Sequence, residues 1–296
     1  AALLSLRLFQ LPLRIARAAR HVINSGEKSP DMLDGADRNP LELYCDFTGM
    51  HGSASDQLAR QCVQRDLEVM SGFLHDRLLL LSLRNAMSAL DRRGAEIRAL
   101  PMADSLVAMT ALRDDPYVAA HASIRLDEIE AVNSEEDLEF VRETRRSDAP
   151  AIEKLATLLT EGLFVNSLRQ QVSWFWSTGG ITKPYGLIRG TRNVRTSWRY
   201  APTDDLLEAL LLVCFSEKDG KGTLPHMPIA DLLRDLRDHF GILIDQPPAA
   251  FDSVDTRAAA AANLEAFKRR LRLLGCFDSL SDDFSAQYVR NPVEAA

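Results

Sequence analysis

Between Ser55 and Arg92 the apolar residues Leu58, Cys62, Leu67, Met70, Phe73, Leu74, Leu78 and Leu81 recur mostly at steps of three to five. That period returns side chains to one face of an α-helix, so the stretch is expected to form one or two long helices with a buried face. Gly72 within it predicts a kink or a close helix contact, and Gly94 with Pro101 closes the region. A second such face follows Pro150, where Ile152, Leu155, Leu159, Leu163, Phe164, Leu168, Val172 and Phe175 share one side of a helix that ends at Gly179-Gly180. With this period dominant, the expected fold class is mainly α. The expected domains are a helical one over 1–149, an amphipathic helix with a basic aromatic hairpin over 150–202, and a C-terminal module over 203–296.

At 296 residues, 46% hydrophobic and 26% charged, the chain can build a packed core in two or more domains. Its longest strongly apolar runs, Leu78–Leu81 and Leu210–Phe215, fall far short of the ~20 residues that cross a bilayer, so no membrane association is expected. Cys45, Cys62, Cys214 and Cys276 show no paired short spacing, and the six histidines are scattered. Neither pattern implies a zinc site or another metal or cofactor, and cysteines so widely spaced fit a reducing cytoplasm. The first 21 residues carry Arg7, Arg14, Arg17 and Arg20 among leucines, with no acid before Glu27. They read as an amphipathic helix interrupted at Pro12, the alternative being a transit peptide, which would normally be richer in serine.

Charge divides the chain more sharply than composition does. Residues 162–203 hold six basic side chains and no acid, together with all three tryptophans and two of the five tyrosines, in a chain of net charge −7. Residues 91–161, by contrast, carry −7 and residues 204–296 carry −6. Between Asp104 and Glu143 eleven acids face three arginines. That run reads as a solvated acidic face or as a counterpart of the basic segment. Ser134 and Asp137 are spaced like a capping box for a helix ending near Arg145 and Arg146.

Within the basic segment, Tyr185–Ile188 and Val194–Tyr200 read as short strands flanking the turn Gly190-Thr191-Arg192-Asn193. Arginine pairs bidentately with phosphate, and aromatic rings offer stacking platforms for bases. Arg169, Lys183, Arg189, Arg192, Arg195, Trp198 and Arg199 are therefore the candidate nucleic-acid contacts. A competing assignment puts Trp174, Trp176 and Trp198 in the core and turns the basic side chains toward an acidic protein surface.

The last 90 or so residues follow another pattern. Thr203 caps a helix with Asp204 and Asp205 in its first turn and Leu206, Leu207, Leu210, Leu211 and Phe215 on its apolar face. A helix after Met227-Pro228 stops at Gly241, and a long alanine-rich helix runs from Thr256 to Leu274. Cys276–Leu280 and Phe284–Val289 then flank the polar turn Ser281-Asp282-Asp283. Three helices followed by a hairpin resemble the winged-helix superfamily. That resemblance implies nucleic-acid contacts from Lys268, Arg269 and Arg272 on the third helix. The acidic charge of the module and Asp282-Asp283 at its wing tip favour protein contact over base readout.

Catalytic motifs are not legible. Gly179-Gly180-Ile-Thr-Lys183-Pro lacks the spacing of a phosphate loop, and proline after the lysine obstructs the helix which that loop requires. The acid pairs Asp114-Asp115, Asp204-Asp205 and Asp282-Asp283 diverge too far on a helix to hold a metal unaided. A helical platform joined to an acidic winged helix resembles accessory subunits of bacterial antiphage-defence or mobile-element operons. What this implies is a non-enzymatic, cytoplasmic subunit that docks DNA or RNA onto a larger complex. The alternatives are a protein-assembly subunit contacting other proteins or a second copy of itself, and an enzyme without a recognisable motif.

Overall fold

The computed structural model describes residues 1–32, 38–132, 135–216, 222–278 and 287–295, and within them the chain is mainly helical. In chain order the helices are α1 (Ala2–Ser25), α2 (Ala54–Ala86), α3 (Asp91–Ala99), α4 (Met102–Thr110), α5 (Pro116–Val132), α6 (Glu135–Arg146), α7 (Ala151–Thr178), α8 (Asp204–Cys214), α9 (Ile229–Phe240), α10 (Val254–Leu273) and α11 (Pro292–Ala295). The strands are short: β1 (Leu43–Tyr44), β2 (Ile188–Arg189), β3 (Arg199–Tyr200), β4 (His226–Pro228), β5 (Ile242–Leu243), β6 (Phe277–Asp278) and β7 (Tyr288–Arg290). Among the described residues no helix is long and apolar enough to cross a membrane.

The periodic stretch after Ser55 becomes a single helix, α2, of 33 residues, which runs through Gly72. Gly72 serves a close helix contact, because a Cβ there would collide with the Arg20 guanidinium of α1. Arg20 occupies that space to pair with buried Asp76 at 2.6 Å. Pro12, expected to interrupt the first helix, lies inside a continuous α1. Proline removes one backbone donor there, but Phe9, Leu13 and Ala16 around it are fully buried and hold the helix in register.

The chain forms two compact units: one of Ala1–Leu13, Asp37–Leu67 and Ser173–Ala296, and one of Arg14–Ala36 and Glu68–Val172. The second has an all-helical core, with Leu79 and Leu83 of α2, Ile97 of α3, Val118, Ala122 and Leu126 of α5, and Ile152, Leu155 and Ala156 of α7. Not all of the face expected on α7 is covered, since Leu163 and Phe164 are exposed. Much of the acidic surface of this unit is paired locally: Arg145 of α6 bridges Asp127 and Glu130 of α5, each at 2.6 Å. The capping box expected at Ser134 and Asp137 lies outside the described residues.

In the first unit β1 and β5 pair in parallel, Leu43 opposite Ile242. From α8 onward the order is α8, β4, α9, β5, α10, β6, β7 and α11, with β7 central in the antiparallel sheet β4-β7-β6. This mixed order of helices and strands is consistent with a winged-helix-like fold, and its boundaries follow local chemistry. Thr203 accepts from the Leu206 N–H at 3.2 Å as N-cap of α8. Gly241 ends α9 with φ +63°, where a Cβ would meet the Leu41 carbonyl oxygen at 2.6 Å. Ser253 and Thr256 form a reciprocal capping box on α10. Leu206, Leu207, Leu210, Leu211 and Phe215 are all buried, as their spacing requires. Asn263, fully buried on α10, donates to the carbonyls of Cys45 and Ile244 at 2.8 and 3.0 Å and accepts from Phe47 N–H at 2.7 Å. The turn at Ser281-Asp282-Asp283 lies outside the described residues.

Candidate nucleic-acid interface

The basic segment is built on a tight reversal after α7. Gly180, at φ +72°, turns the chain, and the Gly179 carbonyl accepts from the N–H groups of both Leu187 and Ile188 at 2.9 Å. Gly186 approaches the Gly180 carbonyl so closely that a side chain would not fit. Strands β2 and β3 then pair antiparallel, with Ile188 opposite Tyr200 and Arg189 opposite Arg199. The period of two buries Trp198 and Tyr200 on the inner face and turns Arg199 the other way.

The strands are shorter than their residue types predict because 190–198 folds as a pinned loop. Gly190, at φ +142°, lies where a Cβ would meet the Ser197 carbonyl oxygen at 2.6 Å. The Ser197 hydroxyl accepts from Thr191 N–H at 2.8 Å and donates to the Val194 carbonyl at 2.7 Å. Trp198 Nε1–H donates to the Thr191 carbonyl at 2.8 Å, and Arg60 of α2 donates to the Thr196 carbonyl at 2.7 Å. Internal bonds thus use the polar groups of the loop and leave Arg192, Val194 and Arg195 outside. The Arg192 guanidinium lies 4.0 Å from the Trp176 ring centroid, a cation–π contact that orients it without neutralising it.

Two arginines facing each other across a strand pair repel unless one is compensated. Arg199 is compensated by Asp56, which is 1% exposed and 3.1 Å away. The Arg199 Nε–H is not aimed along a hydrogen bond, so the attraction is mainly between charges. Burial pushes the Asp56 carboxyl pKa up, but hydrogen bonds from Arg60 and the Gly52 N–H, with the charges of Arg60 and Arg199, outweigh it and hold the pKa below the usual carboxylate range. Tyr200 donates to the Asp66 carboxylate at 2.8 Å, and Arg65 holds the same carboxylate at 2.9 Å. Burial first, and the Asp66 charge second, push the Tyr200 phenol far above its ordinary range.

Beneath the loop lies an aromatic cluster. Phe9 stacks on Trp174 with centroids 5.8 Å apart, and Phe175 stacks on Trp198 at 6.2 Å. Trp198 is 1% exposed, so its ring has no open face for a base, and its role here is packing. Lys268, also proposed as a contact, is buried against its helix and pairs with Glu265 at 2.7 Å. Arg199 is held by Asp56. The structure leaves Lys183, Arg189, Arg192 and Arg195 exposed, without a carboxylate partner among the described residues. Arg269 and Arg272 are exposed near the end of α10, with Arg272 5.2 Å from the Phe277 centroid, and Arg169 is exposed on α7 of the other unit.

Sequence reasoning missed the acids beneath the loop, although a signal was present. Asp66 sits four residues after Cys62 and four before Met70, on the apolar face of α2, where an acid is tolerated only with partners. Of the acid pairs, Asp115 caps α5 and pairs with Arg93 at 2.7 Å, and Asp204 pairs with Arg270 at 2.6 Å. Asp282 and Asp283 lie outside the described residues. No group of three or more histidine, cysteine or acidic residues is placed to hold a metal among the described residues.

A family model described as methylation-associated defense system protein MAD7 matches residues 1–293. No curated protein and no solved structure matches the chain.

Proposed function

Because this chain belongs to the MAD7 family of methylation-associated defense system proteins, we propose that it acts as a non-catalytic subunit that docks DNA or RNA onto a larger defence complex. The observation that carries this reading is the set Lys183, Arg189, Arg192 and Arg195: four exposed cations in an acid-free segment, on a scaffold whose internal hydrogen bonds are already satisfied. Guanidinium and ammonium groups on a fixed backbone suit phosphate oxygens, because the loop that carries them is already ordered and only side-chain freedom is lost on binding. Arg269 and Arg272, on the third helix of the winged-helix-like module, extend the contact set in this reading. All four cysteines are buried as thiols, which supports a cytoplasmic location in this reading.

A protein-assembly role is favoured by a different observation. Val194 is 47% exposed between Arg192 and Arg195, and Leu4, Leu8 and Leu11 are exposed at helical spacing on α1. Fluorescence anisotropy with duplex DNA, single-stranded DNA and RNA at low salt separates the two readings. Nucleic-acid docking predicts binding by the native chain and its loss in Arg192→Glu with Arg195→Glu, at an unchanged melting transition. Absence of binding to all three supports assembly.

A further inference from the structure

The all-helical unit contains a cavity of about 740 Å³, within the size range of cofactor and small-ligand sites. Its walls come from α2, α3, α5 and α7, and its chemistry is divided. Leu155 and Leu159, one turn apart on α7, and Ile129 on α5 supply an apolar side. Arg84, Arg98 and Arg125 supply three guanidinium groups, with Asn85 and His121 beside them.

Those cations differ in state. Arg125 is paired at 2.5 Å with Glu128, the only acid lining the cavity among the described residues. Arg84 and Arg98 have no carboxylate partner among the described residues, and Arg98 makes only a 3.2 Å bond from Nε to the Gly94 carbonyl. Its terminal nitrogens and the whole Arg84 fork remain for an incoming anion. On α5, His121, Arg125, Glu128 and Ile129 recur at helical spacing, so one face of that helix lines the space.

We propose that this cavity binds a nucleoside phosphate, with phosphates on Arg84 and Arg98 and the base against Leu155, Leu159 and Ile129. Two planar forks match the oxygens of a phosphate chain, and an apolar wall accepts a flat ring. A bare anion would leave the partly exposed Leu159 and Ile129 uncovered, and a neutral nucleoside would leave both arginines unpaired. The site lies wholly within the all-helical unit and does not rest on the polynucleotide reading of Lys183 to Arg195.

Isothermal titration calorimetry of the full chain with AMP, ADP and ATP, and with adenosine and pyrophosphate as the two halves, tests this. At least one nucleotide is expected to bind saturably and about tenfold or more tighter than either half. Arg84→Glu with Arg98→Glu should weaken it about tenfold or more, and so, to a smaller extent, should Arg84→Glu alone, where no partner is lost. Arg77→Glu, an exposed reversal on the same helix outside the cavity, should leave affinity unchanged. The proposal is overturned by no nucleotide binding at about 1 mM, by pyrophosphate binding as tightly as the nucleotides, or by affinity that survives both reversals.

Discussion

Arg199 lies 3.1 Å from Asp56, so the hairpin and the first turn of α2 are joined by a carboxylate that is 1% exposed. The same carboxylate holds Arg60, whose other arm reaches the Thr196 carbonyl of the loop. One acid therefore neutralises Arg60 and Arg199, while Lys183, Arg189, Arg192 and Arg195 of the same unit keep no carboxylate partner among the described residues.

Replacing Asp56 with asparagine should destabilise the fold by about 2–4 kcal/mol, because it leaves Arg199 partly buried without its counter-charge. Urea unfolding measures this directly. Arg192→Ala, which loses only a cation–π contact at the surface, should change stability by less than about 1 kcal/mol in the same assay.

The contribution of Asp56 also has a sign in pH. Its folded pKa is depressed, so the stabilisation is fully present above the unfolded value of about 4 and disappears as pH falls through the folded value. The stability gap between the native chain and Asp56→Asn should be constant from about pH 6 to 8 and should narrow below about pH 4. A gap that widened in acid would contradict the assignment.

Trp198 is a packing residue, and its substitutions should show it. Trp198→Ala removes a fully buried ring and is expected to cost about 3–5 kcal/mol. Trp198→Phe keeps the stack on Phe175 but loses the bond to the Thr191 carbonyl, about 1 kcal/mol, and should increase hydrogen exchange across 190–198.

All four thiols are buried, and desolvation raises the Cys45, Cys214 and Cys276 pKa values, that of Cys214 to about 12. A thiol reagent at pH 8 should label the native chain negligibly and label every cysteine after denaturation. Rapid labelling of the native protein would place at least one thiol at the surface.

The legible parts of this molecule are those specified by neighbours in sequence. The caps at Thr203 and Gly241, the apolar face of α8 and the helical period of α2 depend on residues within a few turns of one another, and they appear as expected. What could not be read depends on partners far along the chain. Strands β1 and β5 have two residues each and lie about 200 positions apart, too short for any period to announce them. Lys268 looked like a groove contact by its place in a basic run, but the turn of α10 buries it. The basic segment was visible as charge, whereas Asp56, Arg60 and Asp66, which shape it, bond to residues more than 130 positions later in the chain.

The central claim, that the loop carrying Arg192 and Arg195 binds a polynucleotide backbone, is tested most directly by the salt dependence of affinity for duplex DNA. Each phosphate contact lowers the slope of log Kobs against log salt by about 0.9, so four engaged cations predict a slope of about −3 to −4. Arg192→Glu with Arg195→Glu should make the slope shallower by about 2 or abolish binding at low salt. Binding with a slope near zero, or a slope unchanged by the double reversal, would contradict the account.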